Sequence, residues 1–194
     1  MHHYGRTTSP NIQVLAVLGA LSVALAFGLQ WVLDTLHTRL PAWFDSPATL
    51  GFFAIMYWLF DSYVWRFRWV LRLFSNSITD LRGAYSGTLT SSHNGTATEC
   101  TLRIDQTYSR IVVFLETPTS RSSSTAGSFC EVNGRLAFQY VFRNEPKQNA
   151  GGALQIHYGL ATVIQVNDRK SLEIEYFTGR GRMTHGTGTL KRVE

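Results

Sequence analysis

The sequence predicts an all-β domain following a transmembrane α-hairpin, with the β part forming an eight-stranded antiparallel up-and-down barrel. Three observations predict it. Two apolar stretches, Ile12 to Leu33 and about Pro47 to Trp65, stand near the start of the chain. From Leu81 onward apolar and polar residues alternate, with turn signals every 8–12 residues or so, the pattern of short antiparallel strands. No segment between those strands is long enough for a crossover helix, so a parallel sheet is excluded.

The first stretch carries no charge, and its polar side chains are Gln13, Ser22 and Gln30. At about 1.5 Å per residue it is long enough for a hydrocarbon core of about 30 Å. Ala24-Leu25-Ala26 has the spacing of a signal cleavage site, but the apolar run continues to Leu33, and Arg6 is the one charged side chain before it. An uncleaved helix is expected. Ala16, Gly19, Ala20 and Ala24 offer small residues for helix–helix contact, or are ordinary fillers. The second stretch is interrupted by Asp61, which reads either as a functional residue inside the membrane or as an interfacial one paired with Arg66 or Arg68. Trp65, Trp69 and Leu73 recur at helical spacing, which predicts that this helix continues along the interface, with Arg68 and Arg72 on another face. The segment Asp34 to Ser46 holds one Arg, whereas Arg66, Arg68 and Arg72 follow the second stretch. Lys and Arg stay on the cytoplasmic side, so both termini are expected inside. The expected division is 1–77 for the membrane region and 78–194 for the barrel.

The net charge of +5 favours anionic partners, lipid headgroups or phosphorylated ligands. Arg dominates over three Lys, and Arg suits planar phosphate contacts. No nucleic-acid-binding signature is present. Cys100 and Cys130 lack metal spacing, leaving two reduced buried residues or, in an oxidising compartment, a pair. No nucleophile–base–acid set, Gly-x-Ser-x-Gly elbow or phosphate loop is found, which disfavours an enzyme.

The strands are expected at about Arg82–Ser91, Thr98–Asp105, Ser109–Thr117, Ser120–Val132, Arg135–Arg143, Leu154–Gln165, Ser171–Thr178 and Gly186–Val193. Asn94-Gly95, Asn133-Gly134 and Asn167-Asp168 supply hairpin chemistry, and 144–152 is the longest connection. Eight strands closed on themselves give a lipocalin-like barrel able to hold one small ligand. Cys100, Leu102 and Ile104 share one face, as do Leu136, Phe138, Tyr140 and Phe142. The hydroxyl tract Ser122 to Thr125 breaks the apolar alternation. It is either a solvated strand or the polar lining of a cavity, and closure of the barrel favours the lining. Candidate binding residues are Arg121 and Arg180 near strand ends, the hydroxyls of Ser122, Ser124 and Thr178, the rings of Tyr85, Tyr140 and Tyr176, and His157, which shares a face with Gly159.

Dispersed motifs add a resemblance. They are Leu81-x-Gly83-x-Tyr85-x-Gly87, Cys100-x-Leu102-x-Ile104-x-Gln106-Thr107, the Ser tract after Arg121, Leu136-x-Phe138-x-Tyr140, His157-x-Gly159, Leu172-x-x-x-Tyr176-Phe177-Thr178-x-Arg180 and Gly186-x-Gly188-x-x-x-x-Arg192. Across essentially the whole chain they resemble the two-transmembrane, β-strand-rich effectors of bacterial cyclic-oligonucleotide antiphage signalling (CBASS). Tyr85 stands where that pattern has Trp. The resemblance implies a non-enzymatic, multi-pass inner-membrane protein with a cytoplasmic barrel. It implies no cofactor, a cyclic dinucleotide from a partner nucleotidyltransferase as activating ligand, and no DNA or RNA polymer as partner. It also implies assembly into a homo-oligomer that disrupts the bilayer and kills the cell. A membrane-tethered lipocalin-like carrier or lipid-binding module is the alternative, and an envelope scaffold is a third class needing no cavity.

Overall fold

The computed structural model describes residues 1–5, 11–37, 45–67, 69–70, 78–92, 95–148, 155–166, 170–179 and 183–193. Two compact units are distinguished, Thr8–Asn76 and a second made of Met1–Thr7 with Ser77–Glu194. The N-terminal residues therefore fall with the barrel, whereas the sequence grouped them with the helices.

A two-residue strand, β1 (His2–His3), precedes the helices α1 (Asn11–Thr35) and α2 (Asp45–Ser62). Among the described residues one helix, Ile12–Thr35, is long and apolar enough to cross a bilayer. The 18 residues of α2 give about 27 Å, slightly short of the hydrocarbon core. Large apolar side chains of both helices face outward, Phe27, Trp31, Leu50, Ile55 and Trp58 among them. The buried stripe of α1 is Val14, Leu18 and Ser22, at i, i+4 and i+8, and the Ser22 hydroxyl donates to the Leu18 carbonyl at 2.8 Å. Ala16, Ala20 and Ala24 are exposed and Gly19 is half-buried, so the alanines do not form the packed face.

The expected continuation of the second helix does not form through Trp65. A 3₁₀ turn at Val64–Arg66 follows α2, and Phe67 is extended (φ −68°, ψ 127°), which breaks the helical repeat. Trp65 is buried and Trp69 exposed, so the two do not share a face. Asp61 is half-buried in the last turn of α2, and Arg66 lies over the Tyr63 ring at 5.1 Å. Arg68 and Arg72 lie outside the described residues, as do Leu73, Asn94, Asn167 and Asp168.

Eight strands follow: β2 (Gly83–Ser91), β3 (Ala97–Gln106), β4 (Arg110–Glu116), β5 (Ser120–Val132), β6 (Arg135–Pro146), β7 (His157–Gln165), β8 (Ser171–Thr178) and β9 (His185–Arg192). Each pairs antiparallel with the next, and β9 returns to pair with β2, Tyr85 opposite Arg192 and Ser91 opposite Gly186. The result is a closed up-and-down barrel, as the alternation predicted. Asn133 and Gly134 both have positive φ (50° and 74°), the backbone of a two-residue hairpin turn that Asn-Gly adopts readily.

Inward parity follows the pleat, with one switch. In β5, Ser122 and Ser124 are buried, then Phe129. Pairing with β6 jumps from Ser124↔Phe142 to Ala126↔Val141, so Thr125 is an inserted residue. A bulge exchanges the two faces of a strand, so even-numbered residues point inward before Thr125 and odd-numbered ones after it. This explains the hydroxyl tract: its inward members line the upper lumen, and Phe129 fills the lower.

One end of the lumen is plugged. Leu81, Tyr85, Leu102, Ile104, Phe129, Phe138, Leu172 and Leu190 are each at most 1% exposed. The Tyr85 hydroxyl donates to the Leu81 carbonyl at 3.0 Å. Gln106 closes the entry from both sides, accepting from Leu81 N at 3.0 Å and donating to Thr79 O at 3.0 Å. Arg192 lies over the Tyr85 ring at 6.0 Å and donates to Arg82 O at 2.8 Å. Asp80 and Arg82 form an ion pair at 2.6 Å. Burial would raise the Asp80 pKa, but the hydrogen bonds and charge of Arg82, with Arg192 nearby, outweigh it and hold it below the usual carboxylate value.

Candidate functional site

At the opposite end the lumen opens into a cavity of about 130 Å³. Its wall comes from Leu89 and Ser91 of β2, Leu115 of β4, Ser120 and Ser122 of β5, Tyr140, Phe142 and Asn144 of β6, His157 of β7, and Tyr176 and Thr178 of β8. Thr117, Thr119 and Thr184 complete the rim. Among the described residues none of the lining side chains carries a carboxylate, ammonium or guanidinium. The cavity is a neutral slot of hydroxyls and aromatic rings.

The slot exists because two glycines give way to rings. On β9, a Cβ at Gly186 would sit 2.6 Å from Tyr176 Cε1. On β7, a Cβ at Gly159 would collide with the Phe142 ring. Both motif glycines therefore provide space, since only the residue without a side chain permits so close an approach. The rings form a row: Phe138 and Tyr140 stack at 5.8 Å, and Phe142 meets Tyr140 edge-on at 6.5 Å and Tyr176 at 6.4 Å. Burial pushes the Tyr140 hydroxyl well above its ordinary pKa, so it stays a neutral phenol.

The polar groups are partly committed. Thr178 and Thr184 pin the rim, their hydroxyls 2.9 Å apart, with Thr184 N donating to Thr178 Oγ1 at 2.9 Å. Ser122 donates to the Leu115 carbonyl at 3.3 Å. His157 Nδ1 is 3.0 Å from the Gln155 carbonyl, so it carries the proton there. With that proton on Nδ1, Nε2 is the acceptor for the Asn144 amide at 3.3 Å.

The structure brings Tyr140, Ser122, Thr178 and His157 together at this slot, with Tyr176. Three other sequence candidates are placed elsewhere. Tyr85 belongs to the plug at the far end, with its hydroxyl already bonded. Ser124 is below the slot, accepting from Val113 N at 2.9 Å and lying 2.8 Å from His2 Nε2. Arg121 alternates outward, is two-thirds exposed, and pairs with Glu116 at 3.1 Å. Glu116 also pairs with Lys147 at 2.8 Å, and these two cations, Lys147 first, hold its carboxyl below the usual range. Arg180 lies outside the described residues, between Thr178 and Thr184 in sequence. Phe142 was placed on the inward face from sequence but not named as a binder, and Asn144, two residues further along the same face, was missed. No group of three or more His, Cys, Asp or Glu able to hold a metal occurs among the described residues. Both cysteines are free, and burial pushes the Cys100 thiol up to about 11.

A closed barrel with a small slot, preceded by a helix long and apolar enough to cross a bilayer, has the architecture of a membrane-tethered receptor class. Comparison with known proteins makes the class specific. Residues 76–192 match the model of the Cap15 cyclic dinucleotide receptor domain, and residues 13–66 match that of the Cap15 TM helices. CD-NTase-associated protein 15 of Yersinia aleksiciae is 31% identical over 186 residues, covering 93% of this chain and 88% of that protein. The chain belongs to the Cap15 family. The resemblance to two-transmembrane CBASS effectors is thereby borne out.

Proposed function

We propose that the slot receives one base of a cyclic dinucleotide, and that the rest of the ligand sits across the rim. The observation that carries this reading is the neutral, hydroxyl- and ring-lined cavity in a barrel of this family. Tyr176 and Phe142 supply faces for stacking, and Asn144, His157, Ser122, Thr178 and Tyr140 supply edges for hydrogen bonds. The phosphates, which would be unpaired in a neutral slot, stay outside, where Lys147 exchanges its Glu116 partner for a phosphate, and Arg180, two residues after Thr178 in sequence, is the second proposed phosphate contact. No catalytic role and no cofactor are assigned to the chain. The relative's name associates it with a CD-NTase, and a partner nucleotidyltransferase is the proposed ligand source here.

The proposal extends to the membrane. Helices α1 and α2 form a multi-pass hairpin in the bacterial inner membrane with the barrel in the cytoplasm, and ligand-driven homo-oligomerisation disrupts the bilayer and kills the infected cell. A constraint from the chain path supports the hairpin. Gly5 N donates to Gly127 O at 3.0 Å, so the N-terminus and the barrel lie on one side and the intervening chain crosses an even number of times. Ligand binding must favour the assembled state by differential affinity. Calorimetry of the detergent-solubilised full chain tests the reading: one of cyclic di-AMP, cyclic di-GMP or cyclic GMP–AMP is expected to bind saturably. Binding of a fatty acid with no heat from any dinucleotide would point instead to the tethered carrier. A reporter fused at Glu194 is expected to be active in the cytoplasm, and activity in the periplasm reverses the orientation.

A further inference from the structure

The barrel has one weak joint. Strands β4 and β5 pair at Phe114↔Ser123, Leu115↔Ser122 and Glu116↔Arg121, whereas β5 pairs with β6 from Ser120↔Pro146 to Val132↔Arg135. Among the described residues the β4–β5 ladder ends at Phe114↔Ser123, and the N-terminal segment lies between the two strands beyond it. On one side His2 pairs with Ile111 and His3 with Arg110. On the other, Gly5 N donates to Gly127 O at 3.0 Å and Phe129 N donates to Gly5 O at 3.1 Å. Tyr4 is buried edge-on to Phe129 at 5.3 Å and Phe138 at 6.3 Å, and its hydroxyl donates to the Tyr108 carbonyl. Residues 2–5 thus lace a seam that the eight strands leave partly open.

That seam is also a wall of the ligand slot. Leu115 and Ser122 are both a seam pair and lining residues. The next inward hydroxyl, Ser124, ties β5 to Val113 of β4 and to His2 of the segment. The ring row gives a second connection, from Tyr4 to Phe138 to Tyr140. A slot of about 130 Å³ is smaller than the roughly 300–1,000 Å³ of ordinary small-molecule sites. A base filling so small a slot presses on its wall, and that wall yields first at its weakest joint. The segment is short, polar at His2 and His3, and held on Tyr4, which makes it the first part to leave. Five residues, 6–10, separate Gly5 from Asn11, the first residue of α1.

We propose that residues His2–Gly5 are a strap that laces the β4–β5 seam in the resting protein and is released when the slot is filled, freeing the N-terminal end of α1 from the barrel. The strap is a two-state element biased by ligand occupancy, as coupling between separate sites requires. The inference rests on the proposed ligand reading for what fills the slot, but the strap can be tested without a ligand.

Two opposite variants test it in full-length protein reconstituted into dye-loaded vesicles of phosphatidylethanolamine and phosphatidylglycerol. A Cβ at Gly5 would lie 3.4 Å from Ser128 Cβ, close to disulfide spacing. In a Cys100→Ser, Cys130→Ser background, Gly5→Cys with Ser128→Cys locks the strap when oxidised. Tyr4→Ala loosens it. Tyr4→Ala is expected to leak dye without ligand at least about tenfold faster than the parent, a shift near 1.4 kcal/mol in the strap equilibrium. The oxidised double variant is expected to be silent with cyclic di-AMP, cyclic di-GMP or cyclic GMP–AMP, and reduction is expected to restore its response. Parent-level leakage from Tyr4→Ala, or an undiminished response from the oxidised variant, overturns the strap. Failure of every dinucleotide to bind the unmodified protein would instead count against the ligand reading, while ligand-free leakage from Tyr4→Ala still decides the strap. Trypsin resistance of the barrel in each variant separates strap release from unfolding.

Discussion

Replacing Tyr176 by alanine should cost the receptor most of its grip on a base while leaving the barrel folded. The ring is half-buried at the slot, 6.4 Å from Phe142, and occupies the space that Gly186 vacates. Base stacking on an aromatic side chain contributes about 1–3 kcal/mol. Its loss corresponds to roughly 5- to 150-fold weaker binding. Because the slot side of the ring is open, the stability cost should be below the roughly 3–5 kcal/mol of a fully packed aromatic truncation. Tyr176→Phe keeps the face and removes the hydroxyl, so it should bind nearly as the parent does. The assay is calorimetric titration of the three solubilised proteins, with thermal unfolding of each. Unchanged affinity in Tyr176→Ala, or an equal loss in Tyr176→Phe, would refute the stacking argument.

Tyr85→Ala should destabilise the barrel by roughly 3–5 kcal/mol, since it empties a fully packed plug. The folded fraction should bind with parent affinity, and a loss of affinity beyond the unfolded fraction would return Tyr85 to the site. Asp80 has a folded pKa below its unfolded value, so the stability it contributes is present above the ordinary carboxylate range and is lost as pH falls through the folded pKa. With the pair partly exposed the effect should be below about 1 kcal/mol, and Asp80→Asn should flatten the acid limb of a stability–pH curve below the ordinary carboxylate range. Asp61→Leu should preserve ligand binding and abolish ligand-driven dye leakage if the carboxylate faces the assembly interior, and leakage at the parent level makes Asp61 an interfacial residue.

The barrel was legible because each strand is a local pattern. Ser120–Val132 and Ser171–Thr178 were placed to the residue, and the others deviate by one to three positions at their ends. The inward row of β6 was legible for the same reason, which is why Tyr140 and Phe142 were found on one face. What alternation could not supply was the parity switch at Thr125, because a bulge is a property of two strands together. The parity of Ser120, Ser122 and Ser124 alone would have turned Arg121 outward, and the lure was its charge. Tyr85 misled through its ring: its depth along the barrel depends on which end is plugged, and that is settled by the long-range partnership of Leu81, Gln106 and Arg192. The N-terminal strap was illegible for a related reason. His2–His3 has no strand pattern of its own and is ordered by a seam more than a hundred residues away in sequence.

One base of a cyclic dinucleotide is proposed to enter the β6–β8 side of the slot. Photo-crosslinking of the full-length protein with azido-purine analogues of the cyclic dinucleotides, followed by peptide mass spectrometry, tests it most directly. Adducts are expected on the inward residues Tyr140, Phe142, Asn144, Tyr176 and Thr178, competed away by unmodified ligand. Competable adducts on the outer wall around Thr162 and Glu175 without any on Tyr140, Phe142 or Tyr176, or adducts confined to the plug around Tyr85, would contradict it.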